Sequence, residues 1–327
     1  MSDAPQSANA SPSPLRLDAR RMLRALGMLP VLVLLCIGFT LLNDRFITIQ
    51  NLQVITQQAS INLVLACGMT VVILTGGIDL SVGSILAASA VAGVAVSLSP
   101  AFGALAPLAA LGVGLGCGLL NGLLIGGFGL SPFIVTLGGL TAIRGLARMM
   151  GEDRTVINPE LAYDVIGNAH LLGVHSLVWT GMAVALLTWV ILRRTVLGVR
   201  IYSVGGNMEA ARMAGIRVWV ILLVVYAYSG LLAGLTGVMA SARLYSANGL
   251  QMGQAYELDA IAAVILGGTS FTGGQGGIVG TIVGVLIIAV LSNGLVLAGV
   301  PDIWQYIIKG SIIIFAVALD RLRTGRG

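Results

Sequence analysis

Apolar stretches long enough to cross a bilayer alternate along this chain with short polar breaks. A membrane-crossing helix needs about 20 mostly apolar residues. Met28 to Leu42 predicts a first span, closed by Asn43-Asp44-Arg45-Phe46. Val54 to Ser97 carries one charge, Asp79, and is long enough for two crossings, broken at Thr75-Gly76-Gly77-Ile78-Asp79. Asp79 suits the N-cap of the second. The next span, Phe102 to Ile125, holds Gly112, Gly114, Gly116 and Gly118, overlapping G-x-x-x-G patterns that predict a helix-packing face. Ser131-Pro132 opens a fifth span that ends near Met150. Ser176 to Leu192 and Trp219 to Ala242 flank a polar island, Arg193 to Arg217. Glu257 to Gly268 is apolar but short, which predicts a short or re-entrant helix before the glycine-rich turn 267–277. Ile278 to Leu297 and a last span from Pro301-Asp302 to Asp320 bring the total to about ten.

Charge orients these spans. Cytoplasmic loops collect Lys and Arg close to span ends. With both termini inside, twelve arginines fall on the cytoplasmic side: Arg16, Arg20, Arg21, Arg24, Arg193, Arg194, Arg200, Arg212, Arg217, Arg321, Arg323 and Arg326. Five fall at or near the outer side: Arg45, Arg144, Arg148, Arg154 and Arg243. Arg144 and Arg148, one turn apart, are expected to anchor at the outer interface. The acid-leaning loop 151–175, with His170 and His175, lies outside on this scheme; two histidines without carboxylate or cysteine support do not make a metal site.

Composition closes off other classes. The chain has 327 residues, 57% hydrophobic and 9% charged. A soluble domain carries roughly 25% charged residues, so most of this surface must face membrane lipid. Residues 1–24, rich in Ser, Pro and Ala, read as a disordered cytoplasmic tail, and 25–327 as a single transmembrane domain. The three cysteines sit in apolar spans with no metal or thiol spacing. Basic residues lack interleaved aromatics, so no nucleic-acid face is indicated. Lys309, the only lysine, lacks the glycine run of a phosphate loop. An ATP-driven process would therefore need a partner to bind the nucleotide; no cofactor of the chain's own is expected.

The polar island centres on Gly206-Asn207-Met208-Glu209-Ala210-Ala211-Arg212, a short helix with Asn207 as N-cap, Glu209 in the first turn and Gly215 at the C-terminus. Glu209-Ala210-Ala211 followed by Gly215 resembles the E-A-A-x-x-x-G loop of ABC importer permeases. Gly68 to Gly83 (GMTVVILTGGIDLSVG) and Tyr256 to Ser270 (YELDAIAAVILGGTS) are similar to the ribose-type monosaccharide permeases, and the likeness runs from about Leu41 to Leu319. The resemblance implies an all-α, multi-pass bacterial inner-membrane protein whose short cytoplasmic helix between spans 6 and 7 couples to an ATP-binding cassette subunit. It also implies a periplasmic sugar-binding protein and a second permease copy, and no covalent chemistry by the permease. Asn207, Glu209, Ala210, Ala211, Arg212 and Gly215 would then form the coupling surface.

Candidate gate or pathway residues are Asp79, Asn62, Thr70, Glu257, Asp259 and Asn293. Charges at membrane depth line water or pair, but Asp79, Glu257 and Asp259 would also serve as ordinary helix-start residues. Asn62, Thr70, Asn121, Thr136, Ser292 and Asn293 can make interhelical hydrogen bonds or line a polyol path. Lys309 is expected to pair with Asp302 or Asp259, or to snorkel. Two other readings stay open: a permease for another small polar solute such as branched-chain amino acids, and an ion-coupled secondary transporter using buried acids. Thr75-Gly76-Gly77…Val82-Gly83-Ser84-Ile85 also echoes Gly273-Gly274…Val279-Gly280-Thr281-Ile282, a faint internal repeat.

Overall fold

The computed structural model describes residues 28–301, 303–312 and 314. The tail 1–24, Asp302 and the C-terminal arginines lie outside them. The chain is a helical bundle. Its helices are α1 (Leu29–Leu42), α2 (Ile49–Leu74), α3 (Val82–Ser97), α4 (Ala106–Gly122), α5 (Pro132–Met150), α6 (Asp164–Asn168), α7 (Ser176–Arg194), α8 (Val196–Gly206), α9 (Met208–Met213), α10 (Val218–Leu244), α11 (Tyr256–Leu266) and α12 (Ile278–Leu297). Residues 303–312 are helical as well. Among the described residues six helices are long and apolar enough to cross a membrane; α1 and α3 are shorter apolar helices.

Among the described residues strand structure is confined to two small antiparallel ribbons, β1 (Thr155–Ile157) with β4 (Ser246–Asn248), and β2 (His170–Leu171) with β3 (Val174–His175). The loop 151–175 is thus a folded cap. It marks one end of the bundle, and α9 marks the other.

α2 and α10 run in opposite directions through the centre, and both are mostly buried. α4 packs on α10 without side chains between them: Gly114, Gly118 and Gly122 lie against the backbone of Leu223, Gly230 and Gly234. A Cβ on these glycines would collide, so small residues bring the two helices together. Gly112 and Gly116 face outward, where an added Cβ would meet nothing within 4 Å. The packing face is therefore one glycine stripe and not both.

Two helices start inside the bundle instead of at its ends. α2 ends at Leu74, the chain turns at Gly76, and α3 begins beside the middle of α10. α10 ends at Leu244, the chain folds back through β4, and the 11-residue α11 begins beside the first turn of α3. At about 1.5 Å per residue, α11 is about 16 Å long, half a crossing. Both breaks thus place the start of a following helix inside the bundle.

Candidate functional site

At one end of the bundle, α8 and α9 form a tight corner. Asn207 has extended backbone (φ −159°, ψ 107°), and its Oδ1 accepts from the Ala210 N–H at 2.9 Å, the expected N-cap. Gly215 has φ +83°. Its N–H donates to Arg212 O at 2.9 Å, while Ile216 N–H donates to Ala211 O at 3.0 Å, the two bonds of a Schellman ending. The helix is only six residues long but is held at both ends. Arg212 donates to Glu209 Oε1 at 2.8 Å, and both side chains are more than half exposed, so the pair adds little stability. Ala211 is buried against its own chain. Its side chain is not available as a docking surface; Ala210 and Arg212 are exposed, and Met213, 90% exposed, is the apolar point of the corner.

The first helix break contains a closed polar network. Asp79 is fully buried. Its Oδ1 accepts from Ser81 N–H (3.1 Å) and Ser81 Oγ (2.6 Å), and its Oδ2 accepts from Ser229 Oγ of α10 (3.0 Å). Asn121 of α4 donates to Ser81 Oγ (2.9 Å), and Tyr226 of α10 donates to Ile78 O (3.2 Å). The N-cap of α3 is Ser81, with no side-chain cap. Asp79 is therefore not the helix cap the spacing suggested. It is the acceptor that ties three elements together, and irregular backbone at this depth needs such partners.

The second break is held differently. Arg144 reaches in from α5 and donates to the carbonyls of Gly249 (3.1 Å), Met252 (2.6 Å) and Gly253 (3.4 Å). These carbonyls have left the α10 ladder, and one guanidinium satisfies them. Arg144 is thus an internal clamp rather than an interfacial anchor. Arg148 remains on the surface, paired with Asp153 at 2.7 Å. The pairing holds the Asp153 carboxyl below its ordinary range, chiefly through the hydrogen bond from Arg148.

Gly83, in the first turn of α3, faces Gly253 O and the Glu257 carboxylate so closely that a Cβ would overlap both. The two breaks therefore meet. Glu257 Oε2 is buried without a hydrogen-bond partner. Asp259, two residues on and on the other side of α11, accepts from Lys309 Nζ at 2.9 Å.

The remaining candidates are scattered. Thr70 shares a 2.8 Å hydrogen bond with Thr281 between α2 and α12. Asn293 exchanges amide hydrogen bonds with Asn51 at 2.9 Å. Asn62 is buried, its Oδ1 without a partner. Thr70 and Asn293 thus join helices, and none of the three lines the cavity beside α9. A cavity of about 280 Å³ does open between the first break (Gly76, Gly77), the α4–α5 turn (Ser131, Pro132) and Met208 of α9. Among the described residues no group of three or more His, Cys, Asp or Glu is placed to hold a metal. Ser81, Ser229 and Gly205 were not flagged by the sequence; serines in apolar runs and a glycine among 45 carry no local signal.

A bundle with interrupted helices at its centre and a capped polar corner at one end defines a transport subunit. The family model for the branched-chain amino acid transport system / permease component matches residues 51–317. The chain belongs to this family, is similar to ribose-type sugar ABC permeases, and is a multi-pass inner-membrane protein. Ribose import permease protein RbsC of Bacillus subtilis is 42% identical over 93% of this chain and 94% of its own. D-allose transport system permease protein AlsC of Escherichia coli is 38% identical over 89% of each chain. Galactose/methyl galactoside import permease protein MglC of Escherichia coli is 34% identical over 92% of this chain and 95% of its own. No solved structure matches.

Proposed function

We propose that this chain is the permease subunit of an ATP-driven monosaccharide importer, with α9 as its contact to the ATPase. The observation that carries this reading is the corner itself. A helix of six residues has no stability of its own, yet it is capped by Asn207 and closed by Gly215. Such a helix can pass force between subunits without fraying, and Met213 gives it an apolar point to seat in a groove.

In this reading about ten helices cross the membrane, and both termini and α9 are cytoplasmic. Arg193, Arg194, Arg200, Arg212 and Arg217 cluster at the α9 end, in keeping with that orientation. The cap formed by 151–175 faces a periplasmic sugar-binding protein. α5, among the most exposed of the long helices, faces a second copy of the chain, and sugar passes between the copies. The partner ATPase binds and hydrolyses ATP; this chain holds no cofactor. Asp79, Glu257 and Asp259 act at the helix breaks that open and close the path.

Relatives named for ribose, galactose and allose support a neutral sugar as solute. The family description supports a test against a branched-chain amino acid. The experiment is uptake of radiolabelled ribose, galactose, allose and leucine by cells lacking their own carriers, expressing this chain with its ATPase and binding-protein partners. Uptake of one sugar that needs all three components is expected. Leucine uptake, or sugar uptake by this chain alone under a proton gradient, would overturn the reading.

A further inference from the structure

Three glycine-bearing strands of backbone meet at the α9 end. One is Gly205-Gly206, the end of α8, directly before the Asn207 cap. The second is Leu74 to Gly76, the end of α2, three residues before Asp79. The third is Gly273-Gly274, in the turn that follows α11. Gly274 N–H donates to Leu74 O at 3.0 Å. A Cβ on Gly205 would collide with Leu74 O and stand 2.7 Å from Gly274 N. A Cβ on Gly273 would stand 2.9 Å from both Gly205 O and Gly76 N. Gly273 and Gly274 have φ +88° and +70°, and Gly76 has φ +80°, which only glycine adopts freely. Tyr202, one turn before Gly205, donates to Gly276 O at 2.9 Å and locks the third strand to α8.

We infer that Gly205 is a positioning residue for transport, the point where movement of α9 is passed to both helix breaks at once. Backbone packed on backbone has no side-chain rotamers to absorb a displacement. A shift of α8–α9 must therefore carry Leu74–Gly76 and Gly273–Gly274 with it. The first leads within three residues to Asp79 and the start of α3. The second leads back to α11, whose Glu257 touches Gly83. The two half-helices meet at that contact, so they are moved from one joint and stay in register. This rests on α9 being the ATPase contact.

The test uses the reconstituted complex of this chain, its ATPase and its binding protein. Gly205→Ala is compared with Gly206→Ala, whose added Cβ meets nothing within 4 Å. The readout is sugar moved per ATP hydrolysed. Gly205→Ala is expected to keep ATPase association and hydrolysis while this ratio falls by about tenfold or more; Gly206→Ala stays within about twofold of wild type. Equal ratios in the two variants overturn the inference. If Gly205→Ala does not fold, hydrogen exchange on the wild-type complex decides. Adding ATP should change amide protection of 74–80 and 267–277 together with 205–213. A change confined to 205–213 overturns it. Wild type that shows no ATP-dependent uptake would instead remove the proposed function and leave this joint a packing feature.

Discussion

Asp79 Oδ2 accepts a hydrogen bond from Ser229 Oγ at 3.0 Å, and this ties the start of a half-helix to the middle of α10. The same carboxylate takes two more bonds from Ser81. Asp79→Leu would leave buried hydroxyls without their acceptor, at about 1–3 kcal/mol for each unsatisfied group. Asp79→Asn keeps one carbonyl acceptor and should cost less. Thermal unfolding in detergent is expected to rank wild type above Asp79→Asn above Asp79→Leu, with uptake falling in the same order. Equal stability of wild type and Asp79→Leu would contradict the network.

Gly83 leaves room for the Glu257 carboxylate and for Gly253 O. Gly83→Ala must push the half-helices apart, an overpacking change of about 1–3 kcal/mol. Glu257→Ala removes one of the two obstructions. The double variant is expected to recover part of the lost stability, measured by the same unfolding assay. A double variant no better than Gly83→Ala alone would show that the contact is not the cause.

Lys309 pairs with Asp259 at 2.9 Å, with little of either side chain exposed. Removing one member of a buried pair costs about 3–5 kcal/mol because it strands the other charge. Lys309→Met should therefore destabilise strongly, and adding Asp259→Asn should restore much of the loss. Additive losses in the double variant would mean the two charges do not depend on each other.

His175 stands across the β2–β3 ribbon from His170, ring centroids 4.9 Å apart. Its pKa is lowered by burial first, then by His170 and Arg243. The folded cap therefore binds this proton less readily than the unfolded chain, whose histidine titrates near 6.5. Stability is full above about pH 6.5 and is lost as pH falls from there through the lower folded value. Limited proteolysis of the 151–175 cap should speed up between about pH 7 and pH 5 in wild type, and much less in His175→Gln. Equal acceleration in both would assign the effect elsewhere.

The helical spans were legible because period and length are written in the apolar runs, and the α9 corner because Asn207 and Gly215 are strong local signals. The short α11 followed from an apolar stretch, Glu257 to Gly268, too short for a full crossing. Arg144 was misplaced for a physical reason. An arginine near a span end has the same spacing whether its guanidinium meets water or free carbonyls, and only the fold-back of 249–253 decides. The role of Asp79 was hidden likewise, since Ser229 lies 150 residues away. Glycine patterns marked α4 as a packing helix, but a stripe of alternating glycines cannot say which face is used; the position of α10 chooses Gly114 and Gly118.

The claim on which the account turns is that α9 docks an ATPase from the cytoplasm, and Met213 allows a direct measurement. Met213→Cys is placed in a chain with Cys36, Cys67 and Cys117 replaced by Ala, and labelled with a membrane-impermeant maleimide. The account predicts labelling in inside-out vesicles, none in intact spheroplasts, and protection when the ATPase is bound. Labelling from the outer face, or labelling that the ATPase leaves unchanged, would contradict it.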